Sequence, residues 1–129
     1  MENLKKASIV VVDDDSMMRE MLKLMLRSES YSVIGEASNG EEAISLCERL
    51  KPGVVLLDIN MPKMDGLQAL AEIRKVSPAT LVIMVSADAT MDRVSEAIKQ
   101  GASGFVVKPF NSASVLDRVA KCIKDHNKG

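Results

Sequence analysis

Five short apolar runs recur along the chain at nearly even intervals, and this spacing constrains the fold more than any other feature. Four runs are continuously apolar, at residues 9–12, 54–57, 81–85 and 105–107, and a weaker, mixed run lies at residues 31–34. Strands that are buried on both faces of a parallel sheet have the continuous pattern, and a mixed run is typical of an edge strand. The runs begin near residues 9, 33, 54, 81 and 105. Each interval therefore has about the length of one strand plus one crossover helix.

The intervals between the runs carry apolar residues at helical spacing. Helices are predicted over residues 16–28, from Asn39 to about residue 50, and over residues 66–75, 91–100 and 112–124. Asp15 or Ser16 is expected to cap the first helix, Asn39 to cap the second, and Gly101 to end the fourth. Five strands that alternate with five helices predict an α/β fold, a doubly wound five-stranded parallel sheet with helices on both faces.

Length and composition predict one domain over residues 1–129, with its core at about residues 8–125. Seventeen basic residues nearly balance eighteen acidic ones, so the electrostatic signature of a nucleic-acid-binding protein is missing. Residues 1–6 do not resemble a signal peptide, and no run is long enough to span a membrane, which predicts a cytoplasmic protein. Cys47 and Cys122 are expected to be reduced thiols, because no further Cys or His completes a metal motif.

Polar residues follow the apolar runs directly. Asp13, Asp14 and Asp15 follow the first run, and Asp58, Ser86 and Lys108 follow the third, fourth and fifth. In an open α/β sheet, ligands bind beyond the carboxyl ends of the strands, so these side chains are expected to meet on one rim. Asp13, Asp14 and Asp58 would repel one another there, and Mg²⁺ is the cation that suits such a group best. A lysine and a hydroxyl beside this metal would hold a phosphoryl group, with a carboxylate as nucleophile.

Four segments resemble the CheY-like receiver domains of two-component response regulators. They are residues 11–14 (VVDD), 57–66 (LDINMPKMDG), 85–87 (VSA) and 101–110 (GASGFVVKPF). The second and fourth segments are long and specific, and the resemblance extends from about residue 9 to residue 123. It implies a flavodoxin/CheY-like fold with strand order 2-1-3-4-5.

The resemblance also implies a role for each matching residue of the rim. Asp58 would be the phosphoacceptor. Asp14 would bind Mg²⁺ directly, Asp13 would bind it through a water, and the backbone carbonyl of Asn60 would be the third protein ligand. Lys108 would pair with the phosphoryl oxygens, and the peptide bond before Pro109 would be cis.

Two further residues would transmit the signal. Ser86 would hydrogen-bond the phosphoryl group and shift inward, and Phe105 would change rotamer, which couples the site to the face of helix 4, strand 5 and helix 5. A sensor histidine kinase or a phosphotransfer protein would supply the phosphoryl group, and a downstream protein would bind that face. Apart from its own phosphorylation and dephosphorylation, the chain would catalyse nothing. Direct nucleic-acid binding and membrane insertion are not expected.

The sequence is also compatible, in part, with other kinds of protein. A Mg²⁺-dependent phosphohydrolase of the haloacid dehalogenase type also uses a strand-end Asp nucleophile, but it needs a second Asp two residues later, where this chain has Asn60. A degenerate receiver would have lost an acidic residue or the lysine, and a nucleotide-binding domain would have a glycine-rich loop after the first strand. The chain could also be an excised receiver of a longer, DNA-binding regulator.

Overall fold

A computed structural model describes residues 7–128, with side chains described as far as residue 126; the segment 1–6 considered above lies outside this range. Strands and helices alternate throughout. The strands are β1 (Ser8–Val12), β2 (Ser32–Ala37), β3 (Val54–Asp58), β4 (Leu81–Ser86) and β5 (Gly104–Val107). The helices are α1 (Ser16–Ser28), α2 (Gly40–Leu50), α3 (Gly66–Val76), α4 (Met91–Lys99) and α5 (Ser112–Lys128). The predicted alternation is confirmed.

All strand pairs are parallel, and the sheet has the order β2-β1-β3-β4-β5. The chain therefore reverses its direction of winding between β2 and β3, because β1 pairs with both of them. This reversal lies beside the carboxyl ends of β1 and β3, where the topology of open α/β sheets places ligand sites. The predicted fold class and strand order are confirmed.

Two core clusters lie on opposite faces of the sheet because alternate strand residues point to opposite sides. Val10 and Leu57 pack on one face with residues of α2, α3 and α4, whereas Val11 and Leu56 pack on the other with residues of α1 and α5. The helices differ in how firmly they are held. Five residues of α3 are buried, but Ala97 is the only buried residue of α4.

Two element boundaries differ from the sequence prediction by more than one residue. Strand β2 runs to Ala37 rather than ending at residue 34, and Glu36 lies within it as an ion-pair partner of Arg19 and Lys23. A charged residue in a strand interrupts the apolar pattern, so the pattern predicts a strand that is too short. Helix α5 continues to Lys128, four residues past the predicted end at residue 124, although the terminal segment is polar.

Helix caps fix the loops at the carboxyl rim of the sheet. Of the two candidates for the first helix, Asp15 rather than Ser16 is the cap, and its carboxylate accepts a hydrogen bond from the Met17 N–H. The Asn39 side chain accepts one from the Glu42 N–H, as predicted. Asp65 caps α3 in a reciprocal capping box with Gln68. Gly101 follows α4 with a φ of 100°, a conformation that favours glycine after a helix.

Cys47 and Cys122 are both free and buried, which agrees with their interpretation as core thiols. Burial raises the pKa of the Cys47 thiol to about 11, so this group stays protonated at neutral pH. Within residues 7–128, none of the helices combines the length and the apolar character that crossing a membrane requires.

Candidate functional site

Three carboxylates meet at the rim formed by the ends of β1 and β3. One oxygen each from Asp13, Asp14 and Asp58 lies within 4.8 Å of the other two. Asp13 and Asp58 are buried, with exposures of 1% and 4%, whereas Asp14 is open to solvent. The cluster thus has a buried base and one exposed side. This donor set suits Mg²⁺, which takes a few carboxylate oxygens and keeps several waters.

Lys108 joins this cluster from the end of β5. Its Nζ lies 2.9 Å from Asp13 Oδ2 and 3.6 Å from Asp58 Oδ2. Burial lowers the pKa of the Lys108 amine, but the hydrogen bond to Asp13 and the charge of Asp58 outweigh it and leave the pKa above its ordinary value. The amine is therefore a permanent cation in the site. The peptide bond between Lys108 and Pro109 is cis, as the resemblance implied.

Asp13 is held by hydrogen bonds from several parts of the chain. Its backbone N–H donates to the Ala37 carbonyl at 3.1 Å, and its Oδ1 accepts from the Asp15 N–H at 2.9 Å. Its Oδ2 accepts from Lys108, so both carboxylate oxygens have protein partners. Asp14, in contrast, keeps an exposed side chain beside the cluster. This division suits a site in which one aspartate is fixed and the other faces a ligand.

The electrostatics of Asp58 favour a bound cation. Burial, followed by the charge of Asp13, raises the pKa of Asp58 to about 6, although Lys108 and the Asn60 N–H oppose the shift. The Asn60 N–H lies 3.3 Å from Asp58 Oδ1. Two negative charges in a buried cleft are thus only partly compensated by one lysine. A divalent cation would remove the remaining repulsion and favour the ionised form of Asp58.

Ser86 and Phe105 lie on the neighbouring strands. Ser86 is fully buried at the end of β4, and its hydroxyl accepts a hydrogen bond from the Asp88 N–H at 3.0 Å. Phe105 is half-buried in β5 opposite Met84 and packs against the core cluster beneath α2, α3 and α4. Ser86 therefore belongs to the rim, whereas Phe105 connects β5 to the side of the sheet that carries α4.

Two arginines near the rim were not anticipated from the sequence. Arg93 of α4 lies 3.3 Å from Asp88 and 3.9 Å from Asp65, and so links the loops that follow β4 and β3. Arg19 of α1 donates to the backbone carbonyl of Asp13 at 2.7 Å. Arginines in amphipathic helices are usually solvated surface charges, so the sequence pattern carried no signal for either contact.

A model of the response regulator receiver domain family matches residues 9–120. The chain belongs to this family. Receiver domains are signalling modules of two-component regulators, and the match extends from β1 through β5 and into about the first half of α5. The family assignment and the acidic cluster agree, because this receiver brings its three aspartates together at the rim.

Individual relatives support the same assignment of this receiver domain. It is 44% identical to the chemotaxis protein CheY of Listeria monocytogenes over 90% of this chain and 98% of that protein. It is 38% identical to the nitrate/nitrite response regulator protein NarL of Escherichia coli over 90% of this chain but only 54% of NarL. A crystal structure of the CheX-CheY-BeF3-Mg²⁺ complex from Borrelia burgdorferi matches with a TM-score of 0.89 and 34% identity, covering 92% of this chain and 90% of that one.

Proposed function

We propose that this receiver is the phosphoacceptor of a two-component phosphorelay and is phosphorylated on Asp58. The observation that carries the proposal is the cluster of Asp13, Asp14 and Asp58 with Lys108 at the same rim. A sensor histidine kinase or a phosphotransfer protein would be the donor. The two free cysteines agree with a cytoplasmic location, which is part of the same proposal.

The proposed reaction starts from a phosphohistidine of the donor protein. A carboxylate oxygen of Asp58 attacks the phosphorus, a P–O bond forms as the P–N bond breaks, and the electron pair returns to the imidazole. The Lys108 amine lies within 3.6 Å of Asp58, where it would pair with the charge that develops on the phosphoryl oxygens. A water molecule later hydrolyses the acyl phosphate and regenerates the carboxylate.

Asp13, Asp14 and Asp58 would hold the Mg²⁺ ion, together with the backbone carbonyl of Asn60. When bound, the ion neutralises negative charge on the carboxylates and on the transferred group. The protein's own contribution is to keep these ligands in place. Asp13 is fixed by its bonds to Ala37, Asp15 and Lys108, and exposed Asp14 provides a ligand on the open side.

The output surface in this proposal is the face of α4, β5 and α5. Met91, Ile98 and Val107 on this face are large apolar side chains with exposures of 86%, 62% and 51%. Helix α4 has a single buried residue, so its packing would offer little resistance to a movement coupled to Ser86 or Phe105. A downstream protein would bind one of the two positions of this face preferentially.

Intact-mass measurement after incubation with acetyl phosphate or phosphoramidate tests the proposal. We expect a Mg²⁺-dependent gain of one phosphoryl group in the wild type and none in Asp58→Asn, because the amide is not a competent nucleophile. A gain that persists in Asp58→Asn would place the phosphoryl group elsewhere. Absence of any gain, even with a kinase-derived phosphohistidine as donor, would contradict phosphoacceptor function.

Ser86→Ala is expected to leave phosphorylation of Asp58 largely intact but to weaken the conformational response of the α4–β5–α5 face. The substitution removes the buried hydroxyl at the rim and spares the carboxylates and Lys108. Backbone amide chemical shifts of α4 and β5, recorded before and after phosphorylation, measure this response. Ser103→Ala, which changes an exposed serine in the loop before β5, is the matched control. A wild-type response in Ser86→Ala would remove Ser86 from the coupling.

The phosphohydrolase alternative is less well supported. Asn60 follows Asp58 by two residues, where that class of enzyme needs an acidic proton donor. Steady turnover of a small phosphate ester would support that class, whereas a receiver releases phosphate only at the rate of its own dephosphorylation. The second alternative is that this chain is the receiver part of a longer regulator. The match to NarL favours it, because the chain covers only about half of that protein.

A further inference from the structure

We propose that Arg19 is a positioning residue for the metal site, which it supports by orienting the peptide group between Asp13 and Asp14. The inference rests on the Mg²⁺ site of the proposed function but concerns a residue that contributes no ligand. Arg19 lies in α1, six residues after Asp13, and its side chain is 17% exposed. Most of the Arg19 side chain is therefore covered by neighbouring residues, and its hydrogen bond to Asp13 is partly buried.

The guanidinium bridges two partners that are far apart in sequence. Its Nη1 donates to the Asp13 backbone carbonyl at 2.7 Å, and its Nε donates to Glu36 Oε1 at 2.7 Å. The second oxygen of Glu36 accepts from Lys23 at 2.6 Å. Hydrogen bonds from Lys23 and Arg19 hold the pKa of Glu36 below its usual range, so the carboxylate stays charged and keeps the guanidinium in one orientation.

Because the peptide bond is planar, the contact of Arg19 with the Asp13 carbonyl also affects the position of Asp14, a proposed metal ligand. The carbonyl of Asp13 and the N–H and Cα of Asp14 belong to one rigid plane, so a fixed carbonyl also fixes where the Asp14 Cα lies. The preceding plane is fixed as well, since the Asp13 N–H donates to the Ala37 carbonyl in β2. Asp14 itself is exposed, so Arg19 supplies an anchor that the Asp14 side chain lacks.

Charge and positioning make opposite predictions for the loss of Arg19. A cation near the cluster repels Mg²⁺, so its removal alone would strengthen Mg²⁺ binding. Loss of the carbonyl contact would instead allow the Asp13–Asp14 peptide to rotate and would weaken binding. The direction of the change in Mg²⁺ affinity therefore separates a positioning role from a purely electrostatic one.

The test is isothermal titration of Mg²⁺ into the unphosphorylated full chain at pH 7.5. We expect Arg19→Met to bind Mg²⁺ about 10-fold more weakly, at the low end of the effect of losing a ligand-orienting partner. Arg19→Lys keeps the charge but lacks the planar fork, and should also bind more weakly than the wild type. Arg27→Met removes the same charge from the exposed end of α1 and should bind like the wild type.

A double variant shows whether Glu36 affects Mg²⁺ binding by orienting Arg19 or through its own charge. If Glu36 acts only by orienting Arg19, then adding Glu36→Gln to Arg19→Met should leave the Mg²⁺ affinity unchanged, whereas a charge effect would weaken it further. Urea unfolding identifies variants that do not fold, and the Asp14 amide shift reports the local change directly.

Unchanged or tighter Mg²⁺ binding in folded Arg19→Met would overturn the inference and leave the proposed function standing. Absence of Mg²⁺ binding by the wild type itself would overturn both.

Discussion

Asp58→Asn is expected to make the metal-free protein more stable at neutral pH while abolishing phosphorylation. In the folded chain the pKa of Asp58 is raised to about 6, first by burial and then by the charge of Asp13. In the unfolded chain the same group titrates at about 3.9. Ionised Asp58 is therefore a source of instability that a neutral amide of nearly the same shape would remove.

The sign of the pH dependence follows from which state binds the proton. Between about pH 4 and pH 6 the folded state holds the Asp58 proton and the unfolded state has lost it, so the free energy of unfolding falls as the pH rises through this window. Above about pH 6, ionised Asp58 lowers the free energy of unfolding by a constant amount, on the order of 2–3 kcal/mol for this difference in pKa. The advantage of Asp58→Asn should thus be largest above pH 7 and should disappear toward pH 4.

Urea unfolding, in a metal chelator and at several pH values, measures the difference in the free energy of unfolding between the wild type and Asp58→Asn. Circular dichroism is the suitable signal because the chain has no tryptophan for fluorescence. Asp117→Asn, at an exposed position of α5, is the matched control and should show little change. Mg²⁺ should then stabilise the wild type more than Asp58→Asn, since binding to the folded state adds to stability. Equal stabilities of wild type and Asp58→Asn at pH 7.5 without metal would contradict the account of Asp58.

Gly66→Ala is expected to destabilise the protein by about 3 kcal/mol or more, because the added methyl group has no space. A Cβ at position 66 would lie 2.1 Å from the backbone oxygen of Asp58 and 2.7 Å from the Cα of Ile59. The Gly66 N–H also donates to the Ile59 carbonyl at 2.7 Å, which holds the two segments together. The obstacle is backbone rather than a flexible side chain, so the β3–α3 loop must move.

Gly35→Ala provides the matched control for this experiment. A Cβ at position 35 would lie 3.5 Å from Leu50 Cδ1 and 3.6 Å from Leu46 Cδ1, which are ordinary contacts. We expect a change within about 0.5 kcal/mol, or a small gain from reduced freedom of the unfolded chain. The urea midpoint measures both variants. A Gly66→Ala protein as stable as Gly35→Ala would show that the loop yields easily, and the close approach would then have no energetic importance.

The sequence predicted the elements of this fold well because they depend on short-range patterns. Continuous apolar runs located four strands, and the polar residues that follow them located Asp13, Asp58 and Lys108 on one rim. The contacts of Arg19 could not be predicted in this way, because its partner Glu36 is 17 residues distant and lies in a strand whose pattern it interrupts. Likewise, no local pattern indicates that Lys108 lies nearer to Asp13 than to Asp58, since this depends on the packing of β5 against β4.

The light anchoring of α4 has a consequence for how long a signal lasts. Ala97 is the one buried residue of this helix, so packing gives the helix little energy of its own with which to keep either of two positions. On the proposed function, a position adopted in response to the acyl phosphate is lost when that bond is hydrolysed, because no slow repacking of a core delays its return. The active conformation would then last no longer than the acyl phosphate on Asp58. The groups that set the rate of hydrolysis would therefore also set the duration of the signal.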